Sequence, residues 1–266
     1  QNFYIEVPDT LYALGEVARH HRRRFGVPLV AITGSNGKTT TKEMLRAIMS
    51  LHHGSDAVLA NEGNLNNLIG LPLSLVELNA RHRVAILEMG ANAPGEIARL
   101  TEIARPTHGL ITSIGPAHLE GLGSIDGVAR AKGELFRGLQ VEATCLVNVG
   151  EGRVVEQAAD SEAGRFDYGL GGRLWAEAVE MRSVGSIAFE LCTPAERIPV
   201  VLGLGGRHNV TNALAAAAAA FSLEVAVETI AEGLGRTHAP PMRVRPESLA
   251  NGVTVINDCY NANPTS

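Results

Sequence analysis

The sequence predicts an α/β fold in which a parallel sheet that contains a P-loop is flanked by helices, with a small additional antiparallel sheet. Up to about residue 150, continuous apolar runs alternate with helical patterns, which is typical of parallel strands buried on both faces. A glycine-rich turn connects the first of these strands to the helix that follows it. Between about residues 164 and 202, short segments of alternating polarity indicate antiparallel strands.

Hydrophobic spacing places the elements of the first part. On the second helix Met44, Leu45, Ile48 and Met49 form an apolar face, and Pro94 is suited to open a later helix. Strands are predicted at residues 28–33, 84–87, 110–114 and 144–148, and helices at residues 11–25, 39–51, from 94 through 103, and 124–139.

The second part begins with four short alternating segments that we expect to form an antiparallel patch or an extra sheet. They lie near residues 164–168, 174–181, 186–191 and 198–202, and two helices follow at 209–221 and 225–234. The alanine-rich stretch of the first of these helices is typical of a buried helix that packs closely. Pro240-Pro241 interrupts the chain, and a last pair of strands is predicted near 243–249 and 253–257.

Composition and charge argue against several classes of protein. The 266 residues suit one large or two small domains, and the net charge of −5 argues against a nucleic-acid partner. Three scattered cysteines without metal-ligand spacing fit a reducing cytosol, so we expect a cytoplasmic protein. The longest apolar run, residues 213–221, is too short for a bilayer, so neither membrane insertion nor a signal peptide is expected. The arginines at 22–24 are interpreted as a solvated helix end. The chain begins with Gln1 and not with an initiating Met, which suggests a trimmed or partial chain.

The most specific motif is the turn between the first predicted strand and the second predicted helix. In such a loop, glycines let successive N–H groups point at phosphate oxygens, and the helix adds its positive end. Lys38 can reach the β and γ phosphates of a nucleotide, and the Thr39 hydroxyl is placed to ligate magnesium. Ile32 stands where most P-loops have their first glycine; a glycine-rich turn with an exposed lysine is the alternative. The loop residues are Gly34, Ser35, Asn36, Gly37, Lys38, Thr39 and Thr40.

Two further polar residues follow predicted strands. Glu88 comes directly after the strand 84–87, and His118 follows the strand 110–114. Because ligands gather at the carboxyl ends of the strands in open α/β sheets, we expect both residues to face the same crevice as the glycine-rich turn. A carboxylate is a natural magnesium ligand, whereas histidine is less usual. A helix-capping or surface role is the alternative for Glu88, and a residue without function is the alternative for His118.

Lys132 falls on the core-facing stripe of the helix 124–139, four residues after Val128 and three before Leu135. Burial lowers the pKa of a lysine, and the neutral amine is a nucleophile that can react with carbon dioxide to give a carbamate. A carbamate would be an anionic oxygen ligand for a metal ion. On spacing alone, a long side chain that reaches the edge of the helix and solvent is the favoured interpretation.

Together these residues resemble the Mur ligase family, which builds the peptide stem of peptidoglycan, and this match favours the carbamate for Lys132. The similarity runs from about residue 10 to the end of the chain. Besides the phosphate loop it rests on residues 86–92 (ILEMGAN), 117–120 (AHLE), 129–134 (ARAKGE) and 206–216 (GRHNVTNALAA). Residues 62–67 (EGNLNN), 131–136 (AKGELF) and 258–264 (DCYNANP) are similar to the member that adds D-alanyl-D-alanine. Cys259, Leu68 and Met242 depart from the family pattern.

The resemblance implies a role for each matching residue. The implied catalytic residues are Lys38, His118, Lys132 and Arg243. ATP is implied to bind the loop residues 34–40 together with Asn209, Asn212, Arg243 and Asp258, and substrate is implied to bind Asn64, Asn66 and Asn67. Two Mg²⁺ ions are implied, one held by Thr39 and Glu88 and one by His118, Glu88 and carbamylated Lys132.

The resemblance also implies a domain division and an activity. Residues 1–25 would be the end of an N-terminal UDP-binding domain, 26–242 a central ATP-binding domain, and 243–266 the linker to a C-terminal domain. The implied activity is that of an ATP-dependent ligase, acting as a monomer, that joins D-alanyl-D-alanine to UDP-N-acetylmuramoyl-tripeptide through an acyl phosphate. Another Mur ligase, a folylpolyglutamate synthase-type ligase, or an ATP-binding fragment without catalysis of its own are the alternatives. A GTPase is disfavoured because no Asn-Lys-x-Asp motif occurs.

Overall fold

A six-stranded parallel sheet with the strand order β2-β3-β1-β4-β5-β6 forms the centre of the protein. In the computed structural model, residues 4–238, 245–248, 250–251 and 253–259 are described, those at 245–248 by their backbone alone. The strands of this sheet are β1 (Leu29–Thr33), β2 (Val58–Ala60), β3 (Val84–Glu88), β4 (His108–Ile111), β5 (Thr144–Asn148) and β6 (Gly164–Tyr168). The helices are α1 (Thr10–Arg22), α2 (Lys38–His53), α3 (Gly70–Leu75), α4 (Glu96–Ala104), α5 (Leu119–Leu122), α6 (Ile125–Arg137), α7 (Gly152–Ala158), α8 (Arg207–Ser222) and α9 (Val227–Gly235), with a 3-10 turn at Ser55–Ala57.

The sheet is covered on both faces, as the sequence predicts. Alternate residues of β1 enter opposite cores: Val30 and Ile32 pack with the residues of α2 and α8, whereas Leu29 and Ala31 pack with those of α4 and α6. The alanines of α8 are all buried in the first core, so a helix of small side chains can approach the sheet closely. The α/β fold class is confirmed.

A separate antiparallel sheet consists of β7 (Trp175–Ser183), β8 (Ser186–Cys192) and β9 (Arg197–Leu202). Its three strands match three of the four segments that the sequence indicated. A further hairpin, β10 (Arg245–Ser248) and β11 (Thr254–Asn257), is also antiparallel. Among the described residues, no helix is both long and apolar enough to cross a bilayer.

The remaining one of the four predicted segments, residues 164–168, was assigned to the wrong sheet. It is β6, the edge strand of the large sheet, and it pairs in parallel with β5 from Thr144↔Gly164 to Asn148↔Tyr168. The segment has an alternating pattern because an edge strand leaves part of its surface in solvent: Gly164 and Arg165 are exposed, while Phe166 and Tyr168 are buried.

Two other expectations need correction, and several short elements were not predicted. The predicted strand 110–114 is shifted, because β4 ends at Ile111 and the following residues leave the sheet. Arg22 is not part of a solvated helix end: it is 6% exposed, and its guanidinium donates to the carbonyls of Ala104, Phe25 and Val27. The short elements β2, α3, α5 and α7 had no periodicity long enough to predict them.

Candidate functional site

The glycine-rich turn lies at the carboxyl edge of the large sheet, between β1 and α2. Gly34 and Gly37 have φ angles of 144° and 84°, a region that favours glycine. A Cβ atom on Gly34 would lie 2.1 Å from the Thr112 Oγ1 atom. The loop conformation therefore depends on both glycines, as expected for a backbone cradle that holds phosphate.

The segment after β4 holds the loop in place. The Ser35 N–H donates to the Ser113 carbonyl (2.9 Å) and the Asn36 N–H to the Ser113 hydroxyl (3.1 Å). The Thr112 hydroxyl donates to the Asn36 carbonyl (2.5 Å), and the Ser35 hydroxyl donates to the Gly115 carbonyl (2.8 Å). Because β4 ends at Ile111, its continuation is free to support the turn.

The two residues that open α2 point to different partners. The Lys38 ammonium folds back over the turn and donates to the carbonyls of Gly34 (2.8 Å) and Ser35 (3.4 Å). The Thr39 hydroxyl donates to Oε2 of Glu88 (2.8 Å). Thr40 is buried on the first turn of the helix. Lysine and threonine thus occupy the positions from which they would reach phosphate and a magnesium ion, respectively.

Glu88 is the last residue of β3 and is 3% exposed, and both its carboxylate and its main chain make hydrogen bonds. Its second carboxylate oxygen, Oε1, accepts a hydrogen bond from the Asn66 side-chain amide (2.9 Å). Its main-chain N–H donates to the Asn61 side chain (2.9 Å), and its carbonyl accepts from the same side chain (3.0 Å). This burial contradicts a surface role for Glu88 and leaves an oriented carboxylate beside Thr39.

Lys132 lies inside α6 and is 1% exposed, so its side chain does not reach solvent at the helix edge. Burial lowers its pKa to about 7, and the Lys38 charge contributes in the same direction, while Glu134, Glu96 and Glu88 oppose the shift. The charges of Lys38 and Glu88, both at the carboxyl edge of the sheet, thus act on the Lys132 amine. The metal-ligand role expected for Lys132 from the sequence stays a prediction.

His118 lies on the loop after β4, where it is exposed and has a left-handed backbone with a φ angle of 52°. Its pKa is lowered by partial burial and then by the charges of Lys132 and Lys38, whereas Glu96 raises it. His118 thus follows the carboxyl end of β4, at the same edge of the sheet as the phosphate loop, and the charges of both lysines act on its imidazole.

Asn209 and Asn212 occupy the first turns of α8, beside the phosphate loop. The Asn209 side chain is buried and donates to the Gly205 carbonyl (2.7 Å), and its oxygen accepts from the Asn212 amide (3.1 Å). The Asn212 Oδ1 atom would lie 2.3 Å from a Cβ atom on Gly37. Asn212 thus contacts the loop directly, and Asn209 orients it.

The other sequence-predicted residues are more dispersed. Asn64 is exposed, and its carbonyl accepts from the Asn66 N–H, whereas the Asn67 side chain accepts from the N–H groups of Ile69 and Gly70 at the start of α3. Asp258 is exposed, just after the last hairpin strand. Arg243 and Met242, and residues 260–264 of the last motif, lie outside the described residues, and the roles implied for all of these positions stay predictions.

Sequence reasoning missed two residues of this site, Asn61 and Lys42. Asn61 pairs with the main chain of Glu88, and the Lys42 ammonium donates to the Asn61 carbonyl (2.5 Å). A signal was available for Lys42, since its position four residues after Lys38 places it on the same side of α2. Asn61 directly precedes the stretch 62–67 and gave no signal of its own.

Comparisons with known proteins found matches that cover most or all of the chain. A family model described as the Mur ligase middle domain matches residues 32–220. The UDP-N-acetylmuramoyl-tripeptide--D-alanyl-D-alanine ligase of Haemophilus influenzae is 38% identical over 273 residues, which cover 100% of this chain and 59% of that protein. A crystal structure of MurF from Acinetobacter baumannii has a TM-score of 0.92 at 37% identity, covering 98% of this chain and 57% of that one. The MurF ligase of Thermotoga maritima in complex with ADP has a TM-score of 0.86 at 25% identity, with 100% of this chain and 62% of that one covered. The chain thus spans less than two thirds of the length of these relatives.

Proposed function

The chain belongs to the Mur ligase family, and from that premise we propose that it forms the ATP-binding part of a ligase that joins D-alanyl-D-alanine to UDP-N-acetylmuramoyl-tripeptide. The observation that carries the proposal is the hydrogen bond from Thr39 to Glu88 (2.8 Å), which ties the phosphate loop to a buried carboxylate. The names of the relatives support the choice of substrates.

The residues present suit the nucleotide and magnesium. Gly34 and Gly37 shape the turn that leads into α2, and the positive N-terminal end of this helix suits the phosphates of ATP. The hydroxyl of Thr39 and the carboxylate of Glu88 are the hard oxygen ligands that Mg²⁺ prefers. When bound, magnesium would neutralise charge on the phosphoryl group that is being transferred.

Lys132 suits a carbamate. Its amine is buried, and among the described residues no carboxylate lies within ion-pair distance of it. A neutral Nζ atom would form a bond to the carbon of carbon dioxide and release one proton to solvent, which leaves an anionic carbamate. We propose that this group, with His118 and Glu88, holds a second metal ion. The lowered pKa of Lys132 supports the neutral amine.

The reaction would proceed in two steps. A carboxylate oxygen of the UDP-linked peptide bonds to the γ phosphorus of ATP while the bond to the β-phosphate oxygen breaks, which yields an acyl phosphate and ADP. The dipeptide amine then bonds to the carbonyl carbon, phosphate leaves with the electron pair of the C–O bond, and the amine loses a proton. Lys38 would stabilise the charge on the phosphates, and Arg243 is predicted to assist it.

The proposal is tested on the whole enzyme with a tripeptide substrate whose terminal carboxylate carries ¹⁸O. With D-alanyl-D-alanine as acceptor, we expect the pentapeptide product, ADP, and one ¹⁸O atom in the released phosphate, detected by mass spectrometry. A panel that includes glutamate and folate derivatives separates this activity from those of other Mur ligases and of folylpolyglutamate synthase-type ligases. Transfer to one of those acceptors instead, or phosphate without ¹⁸O, would contradict the proposal.

A further inference from the structure

We propose that Lys42 and Asn61 are positioning residues that keep the Glu88 carboxylate in place beside the phosphate loop. The inference rests on the proposed function for one point, the metal-binding role of Glu88. Both residues are almost fully buried and are linked to Glu88 by hydrogen bonds, so both would act through Glu88.

Lys42 is a second buried lysine, with 1% of its surface exposed, on the helix that begins at the phosphate loop. Its ammonium donates to the Asn61 carbonyl (2.5 Å) and forms an ion pair with Glu43 (3.2 Å). Burying an ammonium costs desolvation energy, and an apolar side chain of similar length would fill the same space without that cost. The role of Lys42 is therefore in what its ammonium holds, which is the main chain of Asn61.

Asn61 is 2% exposed and follows β2 directly. The pairing of β2 with β3 ends at Ala60↔Ile86, and beyond this point the Asn61 side chain replaces a strand neighbour. Its oxygen accepts from the Glu88 N–H, and its amide donates both to the Glu88 carbonyl (3.0 Å) and to the Leu65 carbonyl (2.8 Å). The Asn61 side chain thus fixes the backbone of Glu88 and closes the turn that comes after Asn61 in the chain.

That turn carries Asn66, whose amide donates to Oε1 of Glu88 (2.9 Å). The other oxygen of Glu88 is held by Thr39 from α2. Helix α2 therefore orients the carboxylate twice, directly through Thr39 and indirectly through Lys42 and Asn61. Without the Lys42 ammonium, the buried Asn61 carbonyl would lose its partner, and we expect the turn and the carboxylate to move together.

The test compares metal affinity with nucleotide affinity in the whole enzyme. The dissociation constant of Mn²⁺ is measured by electron paramagnetic resonance with saturating ADP, and that of ADP by calorimetry in EDTA. The variant is Lys42→Met. The matched control is Arg46→Met, because Arg46 is an exposed cation on the same helix that is also paired with Glu43 (3.5 Å). The hydrogen bonds of Asn61 run to Lys42, Leu65 and Glu88 and do not involve Arg46.

We expect Lys42→Met to weaken Mn²⁺ binding about tenfold, as is usual when a residue that orients a metal ligand is lost, with ADP affinity in EDTA and the control unchanged. Parental Mn²⁺ affinity in Lys42→Met, or an equal loss of ADP affinity in EDTA, would overturn the inference. If Lys42→Met does not fold, Asn61→Ser, which removes the amide without adding charge, carries the same expectation. Glu88→Gln separates this inference from the proposed function. If Glu88→Gln binds Mn²⁺ like the parent, the metal role of Glu88 in the proposed function is wrong. If Glu88→Gln weakens Mn²⁺ binding but Lys42→Met does not, only the positioning role of Lys42 is wrong.

Discussion

Replacing Lys132 by methionine should change how the stability of the protein depends on pH. The pKa of Lys132 falls from 10.5 to about 7 in the fold because the amine is buried. Each unit is worth about 1.36 kcal/mol, so the unmodified lysine costs on the order of 5 kcal/mol below pH 7, where it is protonated in both the folded and the unfolded state. Between pH 7 and 10.5 the unfolded state binds more protons than the folded state, so the cost falls as the pH rises.

Integrated from about pH 6 to about pH 9, this linkage amounts to roughly 2.5 kcal/mol. In buffers free of carbon dioxide and metal ions, we expect urea unfolding to show that the parent gains this much stability relative to Lys132→Met. Bicarbonate added at about pH 8 should then stabilise the parent further but not the variant, because a carbamate forms only on a neutral amine. Parallel stability curves for the two proteins would refute both the burial of an unpaired ammonium and the chemistry built on it.

Two further predictions use matched pairs of residues. Gly37→Ala should weaken ADP binding at least tenfold in calorimetry, because a methyl group would meet Asn212 and the left-handed backbone disfavours L-residues by about 1–2 kcal/mol. Gly54→Ala, with a φ of 89° but open space around it, should leave ADP affinity unchanged. Arg22→Met should lower the free energy of unfolding by about 3 kcal/mol, because a buried guanidinium loses three hydrogen bonds to carbonyls. The exposed Arg23→Met should change it by less than about 0.5 kcal/mol. Equal effects within either pair would contradict the corresponding account.

The large sheet could be predicted from the sequence because its inner strands are continuous apolar runs between amphipathic helices. Periodicity does not identify an edge strand, since its pattern depends on what covers it: β6 has the alternation of an antiparallel strand only because one side of its start is exposed. The same limit applies to β2, which has three residues and no pattern of its own.

Candidate site residues could be predicted where a polar side chain follows the carboxyl end of a predicted strand. Glu88 and His118 were predicted in this way, and both lie at the edge of the sheet that carries the phosphate loop, whereas their roles stay predictions. Lys132 was different, because spacing alone favoured a side chain that reaches solvent, whereas the family resemblance favoured a buried carbamate. The structure shows that Lys132 is 1% exposed. Asn61 could not be found at all, because its function lies in side-chain bonds to a strand far away in the sequence.

The central claim is that the amine of Lys132 becomes a carbamate beside the nucleotide and its metal ions. It is tested most directly by ¹³C NMR of the whole enzyme equilibrated with ¹³C-bicarbonate, recorded before and after addition of Mn²⁺ and ADP. We predict one protein-bound carbamate signal that is absent from Lys132→Met and is broadened beyond detection by the paramagnetic ion. A spectrum without this signal, or a signal that Mn²⁺ and ADP leave sharp, would contradict the claim.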